Sequence, residues 1–166
     1  MNSPIGQGET NLRQQFLADG FVALRAFLDS TEVRDLQRQV ARYISDVVPR
    51  MPAEEVFYED KTDPSTLKQL QRLFQYDSYF HDLMFGSRFE AIAAELLDHP
   101  VRGVNLQYFN KPAGSGRATP PHQDGYYFML EPNEAVTLWL ALDEVDEENG
   151  CVRYVSGSHQ RGLRAH

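Results

Sequence analysis

The sequence has one cysteine and no long apolar segment, and each scarcity narrows the class of protein. Cys151 cannot form an internal disulfide, which is compatible with a reducing compartment. Its place at the start of a strand-like segment favours a small buried residue over a reactive thiol. The longest nearly unbroken apolar run, residues 138–142, is far too short to cross a bilayer, so no membrane span is predicted.

Basic residues are also few: 16 Lys and Arg stand against 24 Asp and Glu, for a net charge of -8. They are scattered along the chain, whereas binding to nucleic acid or to an anionic membrane needs clustered Lys and Arg. Neither partner is therefore expected. Residues 1–15 are polar and lack the apolar core of a signal peptide, which predicts a flexible N-terminal segment and a cytoplasmic protein.

The composition is that of one globular domain. With 166 residues, 42% apolar residues and 11% aromatic residues, the chain is long enough to bury a core. Repeats and Pro/Gly/Ser-rich linkers are absent from the sequence. We therefore expect a single domain over residues 16–166, with residues 16–99 mainly helical and residues 100–166 mainly strand.

The helical half shows two capping signals. Asp29-x-x-Glu32 is a capping box, and the apolar residues after it recur every three or four positions: Val33, Leu36, Val40, Tyr43, Ile44 and Val47. Ser87 and Glu90 have the same spacing at the start of a second helix over about residues 87–97, which Pro100 stops. Residues 66–85 are predicted to be a less regular helix.

After Pro100 the apolar period becomes two. Alternation over residues 104–108 and 136–142 predicts strands, and Asn149-Gly150 is typical of a tight hairpin turn into residues 151–155. Residues 143–148 are read as an acidic hairpin loop, since they lack the spacing of an EF-hand calcium loop. The prediction is an α+β fold whose helices brace a sheet of four to five strands. A closed jelly roll needs about eight strands, more than this sheet would have.

His122 and Asp124 are the candidate chemical groups of the strand half. In a strand, residues two apart project from one face, so this imidazole and carboxylate would point side by side while Gln123 faces away. Together they are two thirds of a facial triad, the set of two histidines and one carboxylate that binds Fe(II) in non-haem oxygenases. The alternative is an ordinary ion pair at the surface.

Three segments resemble the phytanoyl-CoA dioxygenase family. They are FLADGFVALRAFLDSTEVRDL at residues 16–36, FNKPAGSGRATPPHQD at 109–124 and VTLWLALDEVDEENGCVRYVSGSH at 136–159. The resemblance covers nearly the whole chain from Phe16 onward. It implies a dioxygenase that uses Fe(II) and 2-oxoglutarate, built on a double-stranded β-helix (a cupin-like jelly roll), with O2 and a small-molecule substrate as partners.

The resemblance also assigns roles to individual residues. His122 and Asp124 match two of the three iron ligands, and Gln107 and Trp139 match residues that contact 2-oxoglutarate. For Trp139 the alternative is a buried core aromatic, and for Gln107 it is an exposed polar strand residue. His81 and His99, in the helical half, are expected to be surface residues.

The sequence departs from the family pattern near its end. The family's third ligand, a histidine several strands beyond the Gly157-Ser158-His159 motif, and the arginine that holds 2-oxoglutarate are both missing. His159 belongs to a turn in the family and His166 is terminal, so neither is expected to replace the ligand. The jelly roll is therefore expected to be incomplete, with an apolar sheet face left exposed.

Three functions remain open from the sequence. The first is the front portion of an oxygenase that hydroxylates an unactivated C–H bond. The second is an inactive jelly-roll binding or structural module, and the third, less favoured for want of further histidines, is a zinc hydrolase. The sequence specifies neither the substrate nor an oligomeric state.

Overall fold

The structure is a computed structural model that describes residues 11–114 and 118–164. Most of the predicted flexible segment 1–15 lies outside these residues, as does His166. The helices are α1 (Leu12–Asp19), α2 (Ser30–Arg42), α3 (Leu73–Tyr76), α4 (Ser78–Met84), α5 (Arg88–Leu97) and α6 (Gly125–Phe128). The strands are β1 (Val56–Tyr58), β2 (Leu67–Leu70) and β3 (Tyr108–Phe109), which form one antiparallel sheet in the order β1-β2-β3.

The capping box predicted for α2 is confirmed. The Asp29 carboxylate accepts hydrogen bonds from the backbone N–H groups of Thr31 and Glu32 at 2.7 and 2.9 Å, and the Glu32 side chain accepts one from the Asp29 N–H at 2.8 Å. These amide donors lower the pKa of Asp29. The apolar stripe then buries Leu36, and a π-helical turn, Tyr43–Val47, buries Tyr43.

The second predicted helix is also confirmed as α5. The Ser87 hydroxyl accepts a hydrogen bond from the Phe89 N–H at 3.2 Å, while Glu90 reaches back to the N–H of Gly86 at 2.5 Å, one residue earlier than a capping box requires. The helix buries Ile92, Ala93 and Leu96 and ends at Leu97, ahead of Pro100.

The helix predicted over residues 66–85 is only partly correct, because this segment begins with β2. β2 pairs with β1 on one side and β3 on the other, and it buries Leu67 and Leu70. Arg72, in the left-handed region at φ 51, breaks the chain direction before α3. The Asp77 carboxylate then caps α4 by accepting hydrogen bonds from backbone N–H groups in the first turn of that helix. Strand pairing here outweighs local helical tendency.

The core lies between this sheet and the helices. Its buried members are Leu36, Tyr43, Leu67, Leu70, Leu73 and Phe80. From the second half of the chain, Leu106, Tyr108, Leu140 and Leu142 pack against it. The Gln37 side chain on α2 also donates a hydrogen bond to the Leu142 carbonyl at 2.6 Å. Residues 140–142 are therefore one point at which the C-terminal half is anchored to the helices.

The mainly-strand prediction for residues 100–166 is wrong for the part of this range that the structure describes. There β3 is the only strand, and residues 136–142 and 151–155 carry no regular secondary structure. A strand requires a hydrogen-bonded partner, and these segments pair with none of the described residues. The fold is therefore α+β, with helices and one small antiparallel sheet.

A turn does form at Asn149-Gly150, but not the predicted two-residue hairpin. The Cys151 N–H donates to the Asp146 carbonyl at 2.8 Å, which closes a longer loop, and Gly150 takes φ 90. Asp146 and Asn149 hold this loop through side-chain hydrogen bonds to its backbone. The acidic loop is thus organised by its own Asx-type contacts.

The C-terminal half exposes many large apolar side chains. They include Tyr126, Tyr127, Phe128, Met129, Leu130, Leu138, Trp139, Tyr154, Val155 and Leu163. Across the described ranges, no helix is long and apolar enough to span a membrane.

His99 joins the end of α5 to the segment around Glu134. Its Nδ1 lies 2.9 Å from the Pro100 carbonyl and its Nε2 lies 3.2 Å from a Glu134 carboxylate oxygen. Both partners are acceptors, so the doubly protonated ring satisfies both contacts. The hydrogen bond to Pro100 and the Glu134 charge raise the pKa of His99.

The contribution of His99 to stability should therefore depend on pH. A raised pKa in the folded state stabilises the fold below the unfolded value of about 6.5, and this stabilisation is lost as pH rises through the folded pKa. We expect the thermal midpoint of the wild type to exceed that of His99→Gln at pH 5.5 and the gap to close by pH 8.5. A gap that is constant across this range, measured by circular dichroism, would contradict the assignment.

Candidate functional site

His122 and Asp124 lie together in the loop between β3 and α6. His122 Nε2 is 3.2 Å from Asp124 Oδ1. Asp124 precedes α6 with helical backbone angles, φ -54 and ψ -38, so the predicted strand geometry is wrong although the two side chains do converge. Gln123 is directed elsewhere: its amide donates to the Gly162 carbonyl at 3.2 Å and accepts from the Arg164 N–H at 2.8 Å.

The other ring nitrogen of His122 fixes its orientation. Nδ1 lies 2.9 Å from the Pro120 carbonyl oxygen, which only accepts, so Nδ1 carries a proton and donates. In the neutral ring, Nε2 then presents a lone pair toward a carboxylate that also carries lone pairs. Two such acceptors at 3.2 Å need a positive charge between or on them. A proton on Nε2 or a bound cation satisfies this requirement.

The Asp124 carboxylate is oriented by a residue that sequence reasoning missed. Thr137 Oγ1 donates to Asp124 Oδ2 at 2.6 Å, which leaves Oδ1 facing His122. A threonine in an alternating segment carries no signal of such a contact, because its partner is 13 positions away and outside any strand ladder. Partial desolvation of the Tyr154 hydroxyl and, after it, the nearby Asp124 charge raise the pKa of this hydroxyl, although the side chain as a whole is largely exposed.

The pair is open to solvent, with the side chains of His122 and Asp124 exposed by 35% and 43%. An exposed ion pair contributes little to stability. Two metal ligands at right angles, each about 2.1 Å from the ion, are about 3 Å apart. The nitrogen and oxygen donors, their spacing and the orienting hydrogen bonds thus fit a divalent metal.

The other histidines of the described residues, His81, His99 and His159, do not join the pair. His159 Nε2 donates to the Leu17 carbonyl at 3.0 Å, at the C-terminal end of α1. A Cβ at Gly20, where φ is 83, would lie 2.4 Å from the His159 ring, so this contact requires glycine. His81 lies beside Asp82 and His99 beside Glu134, both exposed as predicted. Within residues 11–114 and 118–164, no three His, Cys, Asp or Glu residues form a metal-binding group.

Gln107 and Trp139 lie at the surface. Gln107 is exposed, and its Oε1 accepts a hydrogen bond from Gln69 Nε2 at 2.7 Å, across the β2–β3 edge. Trp139 is 47% exposed, which does not match a core aromatic. The contacts of these residues with 2-oxoglutarate stay predictions.

Comparison with known proteins identifies the family of the chain. A family model described as Phytanoyl-CoA dioxygenase (PhyH) matches residues 16–166. The chain belongs to this family. It is similar to "Phytanoyl-CoA dioxygenase 1" of Oryza sativa subsp. japonica, at 26% identity over 97% of this chain and 68% of that protein. It is also similar to "Phytanoyl-CoA dioxygenase" of Arabidopsis thaliana, at 25% identity over 89% of this chain and 64% of that protein.

A shorter stretch is similar to "Phytanoyl-CoA dioxygenase, peroxisomal" of Bos taurus, with 36% identity over 40% of this chain and 21% of that protein. The chain spans about two thirds of the length of the rice and Arabidopsis relatives. No solved structure matches.

Proposed function

We propose that this chain is the N-terminal portion of a non-haem dioxygenase that uses Fe(II) and 2-oxoglutarate to hydroxylate an unactivated C–H bond of a small organic substrate. The observation that carries the proposal is the His122–Asp124 pair, with its two donor atoms 3.2 Å apart, inside a chain that belongs to the phytanoyl-CoA dioxygenase family. The whole of residues 16–166 is proposed to form one domain; residues 12–15, which the sequence predicted to be flexible, are helical and belong to α1.

The chain's own residues would hold and orient the reactants. His122 Nε2 and Asp124 Oδ1 would bind the iron, and Gln107 and Trp139 would contact 2-oxoglutarate. Bound Fe(II) with 2-oxoglutarate supplies the O2 chemistry that amino-acid side chains lack. Pro120 fixes the ring of His122 by accepting its Nδ1–H, so the imidazole needs no reorientation to bind the metal.

Aromatic rings border the pair on the His122 side. The Tyr127 ring centroid lies 6.2 Å from that of His122, and Tyr126 packs edge-on against Tyr127 at 5.5 Å. Rings in this position would limit access of water to the metal once the remaining sheet is in place. The third ligand, the arginine for 2-oxoglutarate and the strands that complete a double-stranded β-helix are proposed to come from a further segment of the parent protein.

An anaerobic titration of the chain with Fe(II) and 2-oxoglutarate tests the proposal. We expect the visible charge-transfer band of a keto acid chelated to protein-bound iron in the wild type. His81→Ala should leave the band unchanged, because His81 also lies 3.1 Å from a carboxylate, that of Asp82, but on α4. Asp124→Ala should abolish it. No band in the wild type would leave the family membership standing and would mean that this chain, without the third ligand and the arginine, does not assemble the iron site on its own.

A further inference from the structure

The surroundings of Asp124 support an inference that rests on the proposed metal site. We infer that Thr137 is a positioning residue: its hydroxyl holds Oδ2 of Asp124 so that Oδ1 alone is presented to the metal beside His122.

The contact itself has the geometry of a strong hydrogen bond. Thr137 Oγ1 and Asp124 Oδ2 are 2.6 Å apart, within the range of 2.5–2.7 Å typical of a hydroxyl bound to an ionised carboxylate. A threonine hydroxyl has one proton to donate, and here it goes to the carboxylate. Oδ1, the other oxygen, is the atom 3.2 Å from His122 Nε2. The two oxygens of Asp124 thus have separate partners.

The segment that carries Thr137 is better anchored than the one that carries Asp124. Leu140 and Leu142, a few residues after Thr137, pack against the core, and α2 binds the Leu142 carbonyl through Gln37. Asp124 begins a stretch in which residues 126–130 are all exposed. The Thr137–Asp124 hydrogen bond therefore ties a ligand in an exposed segment to one that the core holds in place.

This restraint has a chemical consequence. A carboxylate with one oxygen occupied by a hydroxyl binds a metal through the other oxygen and leaves adjacent coordination positions to the cosubstrate and O2. Without the hydroxyl, Asp124 would rotate between orientations or bind through both oxygens. Loss of such an orienting partner typically weakens metal binding by about 10–100-fold. Because this pair is solvent-exposed, we expect the lower end, about tenfold.

The test is a titration of the intact chain with Mn(II), following the six-line electron paramagnetic resonance signal of the free ion. Thr137→Val and Thr137→Ala, which remove the hydroxyl in two ways, should each weaken binding by about tenfold. Thr137→Ser should restore wild-type affinity. The matched control is Thr62→Val, because Thr62 Oγ1 donates to Asp60 Oδ1 at 2.7 Å in the same kind of contact in the turn after β1.

Each outcome of this titration tests either the role of Thr137 or the metal site itself. Wild-type affinity in Thr137→Val and Thr137→Ala would overturn the role of Thr137 and leave the metal site standing. Weak binding by Thr137→Ser would place the effect on the methyl group and also overturn the inference. No saturable binding by the wild type would overturn the metal site of the proposed function, and the role of Thr137 with it.

Discussion

Replacing His122 with alanine is expected to lower the affinity of the chain for Mn(II) by about a hundredfold or more, since a ligand contributes more than the orienting groups behind it. His122 supplies the one nitrogen donor of the candidate site, and Asp124 alone would be an exposed carboxylate. The solvent-exposed pair contributes little to folding, so the thermal midpoint should change little. Calorimetric titration with Mn(II), alongside thermal unfolding, measures both quantities.

His81→Ala is the matched control for this substitution. Like His122→Ala, it removes an exposed histidine that contacts a neighbouring carboxylate. Any general electrostatic effect on Mn(II) binding should therefore be the same for the two substitutions. Equal affinities of His122→Ala and wild type would show that the His122 imidazole does not bind metal and that its contact with Asp124 is an ion pair. A loss shared by His81→Ala would point to nonspecific binding.

The convergence of His122 and Asp124 was predictable from the sequence, but the backbone that achieves it was not. The prediction assumed a strand, in which residues two apart share a face. The structure instead has Asp124 at the start of α6, with its side chain brought round by Thr137. Contacts between residues 13 apart in irregular segments leave no periodic pattern, so no local rule identifies them.

The elements predicted correctly are those that local chemistry specifies. The capping box at Asp29 and the stop at Pro100 act within a turn of helix, and both helices form as expected. The strands predicted at residues 136–142 and 151–155 depend on partners elsewhere, and the described residues provide none. β2 shows the converse: it forms because it pairs with β1 and β3, although its sequence, LKQL, carries little strand signal.

Alternation over residues 136–142 nevertheless contains correct information about packing. Val136, Leu140 and Leu142 are half-buried and Thr137, Trp139 and Ala141 are exposed, but Leu138, which has the parity of the first three, is 40% exposed. The pattern therefore predicts most, but not all, of the side chains that turn toward the core.

Arg72→Ala is expected to destabilise the fold by about 2–3 kcal/mol, the largest loss of stability predicted for a single side chain outside the apolar core. Arg72 binds the Glu55 carboxylate through Nε at 2.8 Å and also through Nη2. Glu55 is 4% exposed, and Tyr76 is its other partner at 3.5 Å. Removing the arginine leaves a buried carboxylate without a counter-charge. Since the Arg72 side chain is 43% exposed, the full cost of a buried pair, about 3–5 kcal/mol, does not apply.

Substitution of Glu55 and substitution of Arg72 should destabilise the fold by different amounts, because the two partners differ in burial. Glu55→Gln removes the buried charge and leaves an arginine that water can solvate, so we expect a smaller loss, about 1 kcal/mol. In Arg72→Ala the thermal midpoint should fall by roughly 5–10 °C. Arg72→Ala combined with Glu55→Gln should be less destabilised than the sum of the single variants, with a coupling of about 1–2 kcal/mol.

Urea unfolding of the four proteins in this cycle measures the coupling. Arg38→Ala is the control, since Arg38 binds Asp35 at 2.7 Å but is 71% exposed, and its loss should cost less than about 1 kcal/mol. Additive losses in the cycle would mean that water already compensates the charge of Glu55.

The location of the Arg72–Glu55 pair makes the result relevant to the candidate site. Arg72 follows β2, whose pairing with β3 holds the start of the chain segment that leads to His122. A weakened Arg72–Glu55 contact should thus lower metal affinity only through loss of the folded state, in contrast to His122→Ala, which should leave the fold intact.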